Sequence, residues 1–394
     1  MNLLAELTHS EQYLLHCLTQ ISDANGPRFE HPFCAEEYEY CKARKILSYY
    51  SAYNARNALP LPEPIAAEIA AIGEEFARTN ALRIQEAHRL QQLLAEHGIE
   101  SLLIKGLATC HYVYGGDLTA RSYGDFDLFV HPDNAPDAYR ILQKEAGYEV
   151  RDAQARQTLY ARSVQHYAPL HAGPFSIDLH FRLNQDVEPT CIHFQDVYAD
   201  AQRVQLHGVE LVVPSASWNF VILAHHMWRH QALEFAFNPR QFAEVYRLVC
   251  SPLLWIHRDA LRKICETTQL DIALYYCICQ CNRVCQRLYG VPATDAATAD
   301  LFKSPRSEAV DLLRYRKLLT FESFGSWPAI VPYEKRLLRV NHDTDPDVHA
   351  FIANMFLKYH IETAWRKECA QLGIEFSEDM IPGKNYDFLN PDPS

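Results

Sequence analysis

The sequence predicts an α/β or α+β fold in which a mixed β-sheet core lies between helical regions. Three observations indicate this: no strand pattern precedes residue 100, short apolar runs alternate with helical segments between residues 80 and 213, and a helical pattern returns after residue 215. Strands that are linked partly by helices and partly by hairpins are typical of a mixed sheet. With 394 residues, the chain has the length of two or three domains.

The change of pattern along the chain predicts three regions. They are a helical N-terminal region of residues 1–80, a sheet-containing core of residues 81–213 and a helical C-terminal domain of residues 214–394. Thr8 and Glu11 have the spacing of a capping box, which begins a helix, and a further helix begins near Pro64.

The core is predicted to begin with a helix and then to alternate between strands and helices. Its predicted elements are helix Ala81–His97, strand Leu102–Ile104, helix Leu107–Tyr114, strand Phe126–Val130, helix Pro132–Ala146, strands Leu159–Tyr167 and Phe175–Leu183, and hairpin Val204–Val213. Glycines that stand just past a helix end are typical C-caps, and Gly98 and Gly147 occupy such positions.

The C-terminal domain is predicted to consist of helices. Its candidate helices are Trp218–Arg229, Gln241–Val249, Trp255–Thr267, Ile272–Leu288, Ser307–Leu319 and His349–Leu372. Cys277, Cys281 and Cys285 recur every four residues and form one stripe of a helix. Because no Cys-x-x-Cys pair accompanies them, we interpret the stripe as apolar core, with a metal site as the alternative.

Composition limits the classes of function. The 37 basic and 49 acidic residues give a net charge of −12. This net charge disfavours non-specific electrostatic binding to nucleic acid or to an anionic membrane. No apolar run reaches the roughly 18 residues of a membrane helix, and the first residues lack a secretory pattern. We therefore expect a reduced, cytoplasmic protein.

The chemistry is predicted to lie in the segment Leu102–Val130, which ends in two closely spaced acids. Side chains alternate along a strand, so Asp125 and Asp127 project from one face, roughly 6.6 Å apart, while Phe126 takes the other face. Two carboxylates on one strand face can hold a hard divalent cation. Solvated acids at the entry to a strand are the alternative interpretation.

A third acid lies on the predicted strand Phe175–Leu183. Its polar face carries Ser176, Asp178, His180 and Arg182. Such a face belongs either to a solvated edge or to the wall of an active site. If this strand lies beside the Asp125/Asp127 strand, the three acids converge into the ligand set that two Mg²⁺ ions need to bridge a triphosphate.

Gly106 lies at a turn from strand to helix, where backbone N–H groups favour anions. Lys105 and Arg121 are candidate cationic partners for phosphates. A surface lysine is the alternative for the former, and a structural ion pair with Asp117 or Asp125 is the alternative for the latter.

These motifs resemble those of the nucleotidyltransferase superfamily typified by DNA polymerase β, in which a glycine turn precedes a carboxylate pair and a third acid follows on a later strand. More narrowly, KG…Y…R…GDFDLFV followed by IDLHFRL is similar to a bacterial family of uncharacterised nucleotidyltransferases, over about residues 80–235. One departure is Leu107, where the superfamily usually has Gly or Ser. A hydroxyl contact to the terminal phosphate is absent there, and Thr109 is a candidate substitute.

The resemblance implies an in-line attack on the α-phosphate of an NTP, with pyrophosphate as the leaving group. Asp125 and Asp127 would ligate two Mg²⁺ ions, or Mn²⁺ in their place. Asp178 would ligate the acceptor-side ion and help to take the acceptor's proton. The residues implied to hold the triphosphate are Lys105, Gly106 and Arg121. His180 and Arg182 belong to the family strand and are candidates for the surroundings of the acceptor.

The acidic net charge favours a small-molecule, peptide or protein acceptor over a long nucleic acid. Two alternative functions remain. The first is a binding module that keeps the fold without turnover, which the presence of all three acids disfavours. The second is tRNA nucleotide addition, for which the sequence offers no basic stripe.

Overall fold

The computed structural model describes residues 63–150, 166–167, 169–183, 192–233, 239–268 and 270–303, together with residues 38, 42 and 47–49. All structural statements below concern these residues. Several predicted elements lie wholly or mostly outside them: the capping box at Thr8, the strand Leu159–Tyr167, and the helices Ser307–Leu319 and His349–Leu372.

Strands and helices alternate through the core, and helices follow it. The strands are β1 (Ser101–Ile104), β2 (Phe126–Val130), β3 (Glu149–Val150), β4 (Leu170–Ala172), β5 (Phe175–His180), β6 (Gln202–Leu206) and β7 (Val209–Val213). The helices are α1 (Glu63–Glu96), α2 (Gly106–Tyr114), α3 (Ala135–Lys144), α4 (Phe194–Ala199), α5 (Ala216–Leu233), α6 (Pro239–Cys250), α7 (Pro252–Ile256), α8 (Arg258–Thr268), α9 (Asp271–Tyr289) and α10 (Ala296–Asp300). A 3₁₀ turn, Pro132–Asn134, precedes α3.

Five strands form a mixed sheet in the order β1-β2-β5-β4-β3, which confirms the predicted fold class. β2 and β5 are parallel, and the other neighbours are antiparallel. All five residues of β2 are buried, because this strand lies inside the sheet with neighbours on both sides. β6 and β7 form the predicted hairpin, and their turn uses positive φ angles at His207 and Gly208.

The helix predicted near Pro64 and the helix predicted over 81–97 are one continuous helix, α1, of 34 residues. α1 crosses residue 80, where the sequence analysis places the end of the N-terminal region. Its Asn80 side chain is fully buried and donates hydrogen bonds to the carbonyl oxygens of Leu118 and Arg121, at 2.9 and 2.7 Å. α1 therefore fixes the loop that leads into β2.

The helices after β7 pack against one another through apolar faces. Cys277, Cys281 and Cys285 of α9 are buried in this core, in agreement with their interpretation as apolar core residues. Within the described ranges, they are not part of a side-chain group that could hold a metal ion.

The single helix predicted over Trp255–Thr267 is instead two helices, α7 and α8, because a helix begins earlier at Pro252 and is interrupted at His257.

None of the described helices combines the length and the apolar character that crossing a bilayer requires.

Candidate active site

The sheet brings the three sequence-predicted acids together on one face. Asp127 lies in β2, with Asp125 two residues earlier at the entrance to that strand. Because β2 and β5 are parallel neighbours, Asp127 lies directly opposite Asp178. The Asp125 carboxyl group lies near enough to Asp178 to contribute to the raised pKa of the Asp178 carboxyl group. This adjacency of the two strands is the condition that the sequence analysis set for convergence of the acids.

Asp127 is the buried centre of the cluster. Its Oδ1 atom contacts Lys105 Nζ at 2.6 Å and His180 Nε2 at 2.9 Å. Burial opposes ionisation of this carboxyl group, but Lys105 and His180 outweigh it and hold the pKa well below its ordinary range. Asp127 is therefore an anion whose charge is already compensated from within the chain.

Asp178 has the opposite electrostatic environment. Burial, followed by the charges of Asp127 and Asp125, raises its pKa to about 8. At neutral pH the Asp178 carboxyl group is therefore protonated, and a protonated carboxyl group can donate a hydrogen bond. The Asp127 and Asp178 carboxyl groups share a face on which Lys105 pairs with Asp127 alone, so the arrangement favours the arrival of a cation.

Lys105 reaches Asp127 from a strained backbone. Its φ of 52° and ψ of −135° are unusual for a residue with a side chain, and such conformations cost roughly 1–3 kcal/mol. Lys105 precedes α2, and its carbonyl oxygen accepts a hydrogen bond from the Thr109 N–H at 2.8 Å. The positive φ of the predicted glycine turn thus belongs to Lys105, while Gly106 is the first residue of the helix.

Gly106 stands close to the acids without being forced to be a glycine. A Cβ atom at this position would lie 3.8 Å from Tyr123 Cδ1 and 3.9 Å from the Asp125 carbonyl oxygen, which are ordinary contact distances. Its place at the start of α2 leaves the first backbone N–H groups of the helix without intrahelical partners. The departure at Leu107 has no compensation from Thr109, because that side chain is fully buried in the core.

Arg121 lies in a buried ion pair with Glu244 of α6. Its guanidinium also lies 4.5 Å from the centre of the Tyr123 ring. Burial opposes the charge on Arg121, but Glu244 keeps the pKa of the guanidinium above its ordinary value. The structural ion pair that the sequence analysis considered is present, with Glu244 rather than Asp117 or Asp125 as the partner. Among the described contacts, none joins Arg121 to the three acids.

The strand β5 and its continuation place the remaining predicted residues. His180 is the last residue of β5 and is buried at the acids. Arg182 lies two residues further on, half-buried, with its guanidinium 5.6 Å from the centre of the Phe181 ring.

Two residues at the site escape sequence reasoning. His166 forms an isolated bridge to His180, and the centres of the two rings are 4.9 Å apart. Arg83 of α1 is half-buried and interacts electrostatically with Asp125, and its Nε atom has no hydrogen-bond partner among the described residues. The spacing of residues in α1 could have indicated Arg83. It lies one helical turn from Asn80 and from Ala87, so all three lie on the buried face of the helix.

The donor set fits a divalent cation. One ligand atom from each of Asp127, Asp178 and His180 can be chosen so that all lie within 4.8 Å of one another. In the part of the chain that the structure describes, this is the only such group of His, Cys, Asp or Glu side chains. This group contains two of the three acids that were predicted to bind metal, Asp127 and Asp178. Its third member is His180, whereas the prediction named Asp125.

A mixed sheet with convergent acids behind a lysine–glycine turn has the features for which the sequence resembles nucleotidyltransferases. The family model described as "Uncharacterised nucleotidyltransferase" matches residues 38–286, more than half of the chain, and the chain belongs to this family. The match extends beyond the resemblance over residues 80–235 into the helices on both sides.

A comparison with curated proteins gave no match. Among solved structures, the chain is similar to an antigenic nucleotidyltransferase-like protein from Paracoccidioides brasiliensis, with 15% identity and a TM-score of 0.29. The similarity covers 48% of this chain and 91% of that chain. The assignment to the family rests on the family model.

Proposed function

We propose that the protein transfers a nucleoside monophosphate from an NTP to an acceptor in a metal-dependent reaction that releases pyrophosphate. The observation that carries this proposal is the parallel register of β2 and β5, which sets Asp127 opposite Asp178, with the charge of Asp125 acting on the latter. Membership of a nucleotidyltransferase family supports the same reaction. The net charge of −12 favours a small-molecule, peptide or protein acceptor.

Asp125, Asp127 and Asp178 would hold Mg²⁺ or Mn²⁺. Bound divalent ions supply charge neutralisation for the triphosphate and activation of the acceptor hydroxyl. Asp178 would give up its proton when a cation arrives, because the positive charge removes the cause of its raised pKa. As a carboxylate beside the acceptor, it could then help to take the acceptor's proton.

The triphosphate would lie at the start of α2. Free backbone N–H groups at Gly106 and Leu107 suit phosphate oxygens, and Lys105 is adjacent. Arg83 is a further cation on the Asp125 side of the cluster. A phosphate contact by Arg121 would require loss of its ion pair with Glu244, so that predicted role is the least supported of the set.

The test is incubation with each NTP, Mg²⁺ and a cell extract, followed by mass spectrometry for an added nucleotide. Asp125→Asn and Asp127→Asn should each abolish transfer, since each removes negative charge from the cation site. Asp133→Asn is the matched control, because Asp133 is an exposed acid just beyond β2. Full transfer by both site variants would contradict the proposal.

The second candidate function is a binding module without turnover. Its supporting observation is the Lys105–Asp127 contact of 2.6 Å, in which a side chain of the protein itself balances the charge of the buried acid. Under this hypothesis, an NTP at millimolar concentration raises the melting temperature, yet no nucleotide is transferred to any acceptor.

A further inference from the structure

The face of the sheet that carries Asp125, Asp127, Asp178 and His180 is called the acid face. We propose that it binds a first-row transition-metal ion such as Mn²⁺, with the His180 imidazole as a direct ligand. In the metal-free protein, the Lys105 ammonium occupies the position of this ion. The inference deepens the proposed function, because it takes the acid face to be the metal site and names the class of ion.

His180 lies at the end of β5, beside the acids. It lies two residues after Asp178, so both side chains project from the same face of the strand. The imidazole is 2% exposed, and its Nε2 atom lies 2.9 Å from Asp127 Oδ1. A buried ring nitrogen is thus held at the carboxylate oxygen to which a bound ion would attach.

The Lys105 ammonium lies among the candidate ligands. Nζ lies 2.6 Å from Asp127 Oδ1 and 3.4 Å from His180 Nε2, so it touches two of the three groups in the candidate ligand set. A cation is therefore already stabilised at the place where the donors converge. A metal ion that binds Asp127 and His180 must displace this ammonium. After displacement, the Lys105 ammonium could bind a phosphate group of the nucleotide.

The candidate ligands combine carboxylate oxygens with an imidazole nitrogen. Mg²⁺ prefers oxygen ligands in a near-ideal octahedron and keeps several of its waters. Imidazole nitrogen suits first-row ions such as Fe²⁺, Ni²⁺ and Zn²⁺. Mn²⁺, the weakest binder of that row, also accepts carboxylate oxygens, and it is the ion that paramagnetic resonance detects directly. The ring of His166, packed 4.9 Å from that of His180, limits how far the imidazole can turn away from the acids.

Mn²⁺ alone, added to the full-length protein, tests the inference by electron paramagnetic resonance. We expect binding at least ~10-fold tighter than that of Mg²⁺ in competition, and a hyperfine coupling from a directly bound ¹⁴N nucleus. His180→Gln should abolish the coupling and weaken Mn²⁺ binding by ~10–100-fold. His97→Gln is the matched control, because His97 contacts Glu145 Oε2 at 3.0 Å in an exposed pair, and it should change neither quantity.

A second variant keeps the inference testable if His180→Gln does not fold. Lys105→Met removes the competing ammonium, so Mn²⁺ should bind at least ~5-fold more tightly than to the wild type. Weaker or unchanged binding would overturn the assignment of Lys105. Bound Mn²⁺ without nitrogen coupling would overturn the assignment of His180, and so would the absence of Mn²⁺ binding by both the wild type and Lys105→Met.

The transfer assay separates this inference from the proposed function. Nitrogen coupling in a protein that transfers no nucleotide supports the metal assignment and contradicts nucleotidyl transfer. Transfer that depends on Asp127, in a protein whose bound Mn²⁺ shows no nitrogen coupling, overturns the metal assignment and leaves the proposed function intact.

Discussion

Two groups of charged side chains in this protein differ in how their charges are balanced. Arg121 and Glu244 form a matched pair, and the Tyr114 hydroxyl donates a further hydrogen bond to Glu244 at 3.2 Å. At the acid face, by contrast, the Lys105 ammonium pairs with Asp127, while burial and the charges of Asp127 and Asp125 keep Asp178 protonated. The matched pair joins the loop before β2 to α6. The acid face, which is the unmatched group, favours the binding of a cation from outside the chain.

The largest expected effect comes from breaking the matched pair. Glu244→Gln leaves the buried Arg121 guanidinium without a counter-charge, so the free energy of unfolding should fall by ~3 kcal/mol or more. Glu210→Gln provides the control, because its pair with Arg203, at 2.8 Å, is exposed to solvent and its loss should change stability little. Urea denaturation measures both, and equal losses would show that Arg121 and Glu244 are not a special pair.

The next effect concerns transfer by an Asp178→Asn variant. If Asp178 serves mainly the acceptor and its metal ion, kcat should fall by at least ~100-fold while the KM for the nucleotide changes little. Calorimetric titration of the NTP beside the transfer assay measures the two quantities. Unchanged transfer would show that Asp178 is only a strand residue at the edge of the site.

A smaller effect is expected on the stability of the metal-free protein. The folded-state pKa of Asp178 is raised to about 8, against an unfolded value of about 3.9. The folded state therefore holds a proton that the unfolded state has lost, and stability falls as the pH rises from about 4 to about 8. Asp178→Asn removes this loss, so its melting temperature should exceed that of the wild type by at least ~2 °C at pH 8.

Thermal denaturation in the presence of a chelator, at pH 5 and at pH 8, measures the difference between Asp178→Asn and the wild type. The advantage of the variant should grow from the lower to the higher pH. An advantage that is constant or shrinks over this range would contradict the raised pKa, and with it the excess of acid at this face.

Local patterns in the sequence were sufficient to predict much of the sheet. β2 was predicted with its observed bounds, because FDLFV is a continuous apolar strand with one acid. The β6–β7 hairpin was predicted because His207-Gly208 can adopt the positive φ angles of a tight turn. β3 and β4 were missed, because strands of two and three residues are too short to show a periodicity.

The site was only partly predictable for a related reason. Alternation along a strand places Asp125 with Asp127, and Asp178 with His180, but only the pairing of β2 with β5 brings the two sets together. The partner of Arg121 could not be foreseen, since Glu244 lies 123 positions further along the chain. The contact of Lys105 with Asp127 was not predicted either. It depends on the positive φ angle of Lys105, which the residues next to it in the sequence do not indicate.

One paired measurement tests most directly whether the unmatched group, and not the matched one, carries the function. Asp127→Asn and Glu244→Gln are compared for NTP transfer and for melting temperature, with transfer assayed at a temperature at which both variants are folded. The account predicts a folded Asp127→Asn variant without transfer, and a less stable Glu244→Gln variant that retains it. Transfer by Asp127→Asn at the wild-type rate would contradict the account.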